Sequence, residues 1–315
     1  MSKLYLAAID YCQPEGSLPD GVLTADGLPN IRTALKAEYL RSTKNVDPYS
    51  VVENLECTPS ELGATAVRKA LSKCSRESSD LNLILGATCT PLQTIPVESQ
   101  RIGKELGVKI PAYDINGGSS DLALHIETLL SWKAERVPEH TLSVSTHIPT
   151  SRVNYADSAN MEELASSDGG GAAILSKEKG SYSIEGAKAE LFPARSKDFS
   201  IELYGHLKIH PELSGELLVP KLAELFDSMK NQVSESAVII ESQLTPNHRD
   251  SLKEAIGGQY GWYSSWETLG NMFGATPYAA LASFEASDEA NGASQIVLLQ
   301  SGIGPSVGIV ILSKE

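Results

Sequence analysis

The chain has 315 residues, of which 41% are hydrophobic, with 26 Lys and Arg against 40 Asp and Glu and a formal net charge of −14. That balance belongs to a globular protein with enough apolar mass for a full core, which excludes disordered and fibrous classes. The acidic field repels nucleic acid and anionic lipid, and no apolar run nears the roughly 20 residues of a membrane-spanning helix, so neither nucleic acid nor membrane is expected as a partner.

The opening MSKLYLAAID has no signal-peptide layout, which points to a cytoplasmic protein. Cys12, Cys57, Cys74 and Cys89 are scattered without a CxxC, so they read as reduced thiols and not as a zinc site or a disulfide framework.

In chain order, LYLAAI (4–9), LNLILGA (81–87), TLSVST (141–146), GAAILS (171–176), SAVIIE (236–241), SQIVLLQ (294–300) and VGIVIL (307–312) read as strands, several apolar throughout as expected for burial on both faces. Helical patterns lie between them. Pro59 and Ser60 open one, Pro96 a second, a third begins at Ser119 or Ser120, and Pro211 opens a fourth. The alternation predicts an α/β fold with mostly parallel sheets. DGGGAAIL (168–175) and GIGPSVGIVIL (302–312) are both glycine turns feeding an apolar strand, which suggests a duplication into halves 1–177 and 178–315, with a polar junction at 176–183.

The richest stretch for chemistry runs from 108 to 132. A short strand ends in Asn116-Gly117-Gly118, and the next helix starts at once. A nucleophile on such an elbow stands at a helix N-terminus, which favours its anion, and its own N–H can serve an oxyanion. On spacing alone, Ser119 and Ser120 equally suit a helix cap.

The ordered segments LILGATCTPLQTIPVESQRIGKELGVKIPAYDINGGSSDLALHIETLLSW, SSDGGGAAIL, LGNMFGATPYAAL and IVLLQSGIGPSVGIVIL resemble the type III ketoacyl-acyl-carrier-protein synthases of the thiolase superfamily. The resemblance implies a thiolase-like duplicated αβαβα five-layered fold and a dimer. It also implies acyl transfer from coenzyme A or carrier-protein thioesters, without a resident cofactor, through a Cys-His-Asn set. Residue by residue, Ser119 falls at the elbow cysteine and Asn271 at the asparagine. Ser242, followed by Gln243, falls at the histidine, with His248 as a displaced alternative. Residues 302–304, Gly304 among them, fall at the oxyanion loop, whose donor must lie before Pro305 because proline has no N–H.

The serine needs a base that a thiol would not, and Ser242 cannot supply one. Loss of one oxyanion-type donor costs about 3–4 kcal/mol. His147 and His206 are the candidate bases and substrate contacts. His125 and His210 read as structural, and Asp121 as a charge on the first helical turn. Cys89, in the loop 88–91, is a further substrate contact beside the dimer interface of relatives but is not aligned with the nucleophile. Arg41 is the residual coenzyme A contact, and Arg249, with Lys253, a carrier-protein docking candidate diluted by Asp250 and Glu254. Two functions follow: a ketoacyl synthase III-like acyltransferase in fatty-acid-like or polyketide-type biosynthesis, or an inactive subunit that completes a heterodimer with a Cys-His-Asn homologue.

Overall fold

A computed structural model describes residues 3–14, 58–152, 166–201, 206–210 and 212–315. Arg41, Cys57 and Pro211 lie outside the described residues. The helices are α1 (Pro59–Lys73), α2 (Glu98–Leu106), α3 (Asp121–Ser131), α4 (Val219–Met229), α5 (Pro246–Ile256), α6 (Trp266–Leu269) and α7 (Thr276–Glu285). The strands of the large sheet are β1 (Tyr5–Cys12), β2 (Leu83–Ala87), β3 (Ala112–Asp114), β4 (His140–His147), β5 (Gly169–Ser176), β6 (Tyr182–Leu191), β9 (Val238–Ile240), β10 (Gly261–Tyr263), β11 (Gln295–Gly302) and β12 (Ser306–Lys314). A separate hairpin pairs β7 (Phe199–Ile201) with β8 (Leu207–Ile209).

Local chemistry sets the helix starts. Thr58 accepts from the Glu61 N–H while Glu61 accepts from the Thr58 N–H, and Pro59 fills the first turn of α1, where its missing donor costs nothing. The Asp114 carboxylate accepts from the Glu98 and Ser99 N–H groups and so caps α2.

The ten strands run in the order β10-β9-β11-β12-β6-β1-β5-β4-β2-β3. Each half therefore repeats one five-strand order, and the halves join where β1 meets β6 at Tyr5↔Ser183 and Leu6↔Tyr182. Alternating side chains sort into three apolar layers. On one face Ile84, Val144 and Ile174 pack with α1 and α2 residues such as Val67 and Ile102. On the other face of the second half Val297, Ile309 and Ile311 pack with α4 and α5 residues such as Leu222 and Leu252. Between them Leu85, Leu175, Leu298 and Val310 enclose Leu122 and Ile126 of α3 and Tyr278 and Phe284 of α7. The result is helix, sheet, helix, sheet, helix: the five-layered duplicated thiolase-type arrangement.

The expectation of mostly parallel sheets is corrected. β2 pairs in parallel with β3 and β4, and β9 with β10 and β11, but β5, β12, β1 and β6 pair antiparallel. The cause is local in the second half. Residues 303–305 turn β11 straight back into β12, so no helical crossover is available to restore a parallel direction. Strand β6 begins in the last two residues of the segment read as a polar junction, where Tyr182, Ser183 and Ile184 are buried and the rest of the strand is only partly covered.

Candidate active site

The elbow forms because Gly118 adopts φ +66, and a Cβ there would stand 1.9 Å from the Ile303 carbonyl oxygen. Only glycine allows this close approach of β11–β12 to the start of α3. Ser119 and Ser120 are both fully buried, and neither hydroxyl caps the helix. Ser120 Oγ donates to the Gly117 carbonyl, 2.8 Å. Ser119 Oγ accepts from the Ile303 N–H at 3.0 Å. Among the described residues no side chain accepts a hydrogen bond from the Ser119 hydroxyl.

Of residues 302–304, the loop expected to serve an oxyanion, Ile303 is the one whose N–H points at Ser119. Gly304, expected to contribute there, donates to the Phe199 carbonyl, 3.2 Å, because its φ of +94 turns its N–H away toward the β7–β8 hairpin. Ser242 is also displaced from the expected position. Its Oγ accepts from the Ser265 N–H at 2.9 Å and anchors the start of α6. The side chain that enters the site is Gln243. It donates to the carbonyls of Ser119 (3.1 Å) and Phe273 (2.8 Å) and accepts from the Ser301 N–H (2.8 Å), tying the elbow, the Asn271 loop and β11 together. Beneath it, Glu241 accepts from the Gln243 and Leu244 N–H groups, and burial pushes its carboxyl up to about 7.

Asn271 joins the same network. Its amide donates to the Gln243 carbonyl at 3.1 Å, and its Oδ1 accepts from the Phe273 N–H at 2.9 Å and from Thr276 Oγ1 at 3.2 Å. These bonds hold Phe273 at φ +52, a left-handed conformation that costs on the order of 1–3 kcal/mol for a bulky residue. The cavity lined by Gln243, Asn271, Phe273 and Gly302 measures about 20 Å3, room for a water molecule and not for an acyl chain.

His147 lies on the other flank of the α3 N-terminus and is bonded to a different set. Its Nδ1 is 2.9 Å from Cys89 Sγ and 3.3 Å from the Cys89 N–H, its Nε2 is 2.7 Å from Ser145 Oγ and 3.4 Å from Asp121 Oδ2, and Ser145 Oγ donates to that same carboxylate oxygen at 2.6 Å. Ser145 Oγ and the Asp121 carboxylate hold the Nε2 side of the ring, so Nδ1 is the nitrogen that faces the thiol. Burial disfavours the charged ring, but Cys89 and Asp121 outweigh it and its pKa is pushed up to about 10. Asp121 also accepts from the Gly117 N–H at 2.7 Å, so it clasps the elbow turn as well as orienting the ring. Gly274 makes the room, since a Cβ there would stand 1.9 Å from Asp121 Oδ2. Glu98 is 1% exposed, neither carboxylate oxygen has a hydrogen-bond partner, and burial pushes it up to about 7, with Arg101, Asp114 and His147 as its charged neighbours.

The other candidates sit apart from both clusters. His206 is exposed just before β8. His125 is buried between Ser143 Oγ and the Ile115 carbonyl, both at 2.8 Å, and burial lowers its pKa, so it is a neutral core histidine. His248 contacts Thr245 Oγ1 at 3.0 Å on the first turn of α5. Arg249 is not an open handle for docking: its guanidinium is 11% exposed and bound to Ser264 and Glu267.

Two features escaped the sequence reading. Gln243 was visible only as the residue after Ser242. The Cys89–His147 contact had a usable signal, because β2 and β4 are parallel neighbours in the register Ala87↔Ser145, and two residues further along each strand are Cys89 and His147.

No family model matches the chain. The chain is 24% identical over 175 residues to β-ketoacyl-[acyl-carrier-protein] synthase III 2 of Vibrio vulnificus, covering 55% of this chain and 46% of that protein. It is 26% identical over 159 residues to the synthase III of Hyphomonas neptunium (50% and 48%) and 28% identical over 172 residues to that of Bacillus pumilus (53% and 54%). The chain spans about half the length of the curated relatives it matches. Among solved structures, a 3-oxoacyl-[acyl-carrier-protein] synthase III from Aquifex aeolicus superposes with a TM-score of 0.75 at 18% identity, covering 98% of this chain and 99% of that one. A type III pentaketide synthase from Neurospora crassa gives 0.79 at 17%, covering 99% and 100%. In sequence this chain is thus similar to β-ketoacyl-[acyl-carrier-protein] synthases III, and solved structures share its five-layered frame from end to end.

Proposed function

We propose that the protein is a ketoacyl synthase III-like acyltransferase that takes an acyl group from a coenzyme A or carrier-protein thioester and holds it covalently. The observation that carries this reading is the elbow: the Ile303 N–H donates to Ser119 Oγ at 3.0 Å just before the start of α3, a surrounding suited to the negative charge that develops on a thioester oxygen. The names of the curated relatives supply the substrate class. Ordinary decarboxylative condensation is disfavoured, because Ser242 is committed to Ser265 and no imidazole is bonded to Ser119 or Asn271. A dimer, of like chains or with a homologue, is part of the proposal.

Intact-mass measurement after incubation with a panel of acyl-coenzyme A and acyl-carrier-protein donors tests it. One added acyl group is expected; no adduct with any donor overturns the reading. The small 20 Å3 cavity and the Asn271 amide bonded to Gln243, Phe273 and Thr276 favour a second reading, a silent subunit beside a Cys-His-Asn homologue. That reading predicts a one-to-one complex on co-expression and no acyl adduct on this chain.

A further inference from the structure

We infer that Cys89, and not Ser119, is the nucleophile that receives the acyl group, with His147 as its base and Asp121 and Ser145 as the groups that position the base. The inference rests on the thioester reading above and names the atom that attacks. Three observations outside the elbow carry it.

First, the geometry is complete: thiol, imidazole and carboxylate follow one another at 2.9 Å and 3.4 Å, with Ser145 bridging ring and carboxylate at 2.7 Å and 2.6 Å. A cysteine with a base in hydrogen-bond reach, itself oriented by a third group, is the constellation nucleophilic catalysis needs. Among the described residues Ser119 has no such partner. Second, the loop is held in place. The Thr88 N–H donates to Asn116 Oδ1 (2.7 Å), the Thr90 N–H to Thr88 Oγ1 (3.1 Å) and the Ile148 N–H to Thr90 Oγ1 (2.8 Å), which fixes Cys89 over the end of β4. Third, the position suits a substrate. Cys89 is half-buried at the carboxyl ends of two parallel strands, the edge where α/β sheets bind ligands, and packs against the apolar cluster that holds Phe199, Phe273 and Ile303. His147 meets Phe273 edge to face at 5.9 Å and Phe273 meets Phe199 in the same way at 5.8 Å, so aromatic side chains flank the ring that serves the thiol.

The step balances without any other reactant. His147 Nδ1 takes the thiol proton, the Cys89 sulfur forms a bond to the thioester carbonyl carbon, the carbon–sulfur bond of the donor breaks, and the departing thiolate takes the proton back from His147. The titratable groups that face the ring are Asp121 and Cys89, with Glu98 the next carboxyl.

The test has two arms on the full-length protein. Site-resolved iodoacetamide labelling between pH 5 and 9 is expected to modify Cys89 ahead of Cys12 and Cys74, whose thiols burial pushes up, and His147→Gln is expected to slow Cys89 labelling at pH 7 by roughly 100-fold. Acyl-coenzyme A and acyl-carrier-protein donors are expected to leave the acyl group on the Cys89 peptide and none on the Ser119 peptide, and to leave none in Cys89→Ser, with circular dichroism showing that variant folded. An adduct on Ser119, or Cys89 labelling no faster than Cys12, overturns the inference and leaves the thioester reading standing. A fast-labelling Cys89 with no adduct from any donor overturns the thioester reading and, with it, the acyl-acceptor role.

Discussion

Ser119 and Asp121 lie two residues apart at the start of α3, yet the environments they face differ in kind. Ser119 faces the second half of the molecule, where backbone donors and an amide surround it: the Ile303 N–H, the Gln243 amide and, one bond further, Asn271. Asp121 faces the first half, where an imidazole and a thiol surround it. The first region can stabilise a negative oxygen but has nothing to remove a proton. The second can move a proton but has no comparable set of backbone donors around the thiol. The comparison teaches that a nucleophile position and a nucleophile are separable: the elbow inherits its place from the fold, while reactivity follows whichever side chain has a base.

The largest expected effect comes from breaking the buried pair. His147→Ala leaves the Asp121 carboxylate buried without its ring and should cost about 3–5 kcal/mol in urea unfolding, together with the labelling of Cys89. If it costs less than Ser119→Ala, the contrast between the two regions fails. Gln243→Leu removes the amide that ties elbow, Asn271 loop and β11, and should cost about 3 kcal/mol while leaving Cys89 labelling at the wild-type rate. Ser119→Ala strands the Ile303 N–H and should cost about 1–3 kcal/mol, again with Cys89 unchanged.

Per pH unit the smallest effect is a pH slope, at most about 1.4 kcal/mol for each proton. The His147 ring, raised from 6.5 to about 10, gives stability that is full below pH 6.5 and drains as pH climbs toward 10. Glu241, raised from 4.5 to about 7, binds its proton more tightly when folded, so stability falls between pH 4.5 and 7 and then levels. Urea midpoints of His147→Gln should lose the alkaline slope, and those of Glu241→Gln the acidic one.

Much of the frame was legible. Every apolar run read as a strand overlaps one, although of SAVIIE (236–241) only Val238–Ile240 is strand, and the starts of α1 and α3 follow from Pro59 and from the glycines before Ser119. Short strands such as β3, β7, β8 and β10 carry too few residues for a period to declare itself. Antiparallel pairing of β5 and β12 was not legible, because alternation reports which face is buried and not which way the neighbour runs.

From the order of its residues alone, the chain determined its strands, its helix starts and the sharp bend that brings Ser119 to a helix N-terminus, since dihedral preferences and apolar spacing act over a few residues. Only the folded molecule decided that Gln243 enters the site in place of Ser242, that Ile303 and not Gly304 donates at the bend, and that Cys89, Asp121 and His147 meet. Those outcomes depend on strand register and on which way each N–H and side chain turns when distant segments pack, and both are set at ångström scale by partners that lie far away along the chain.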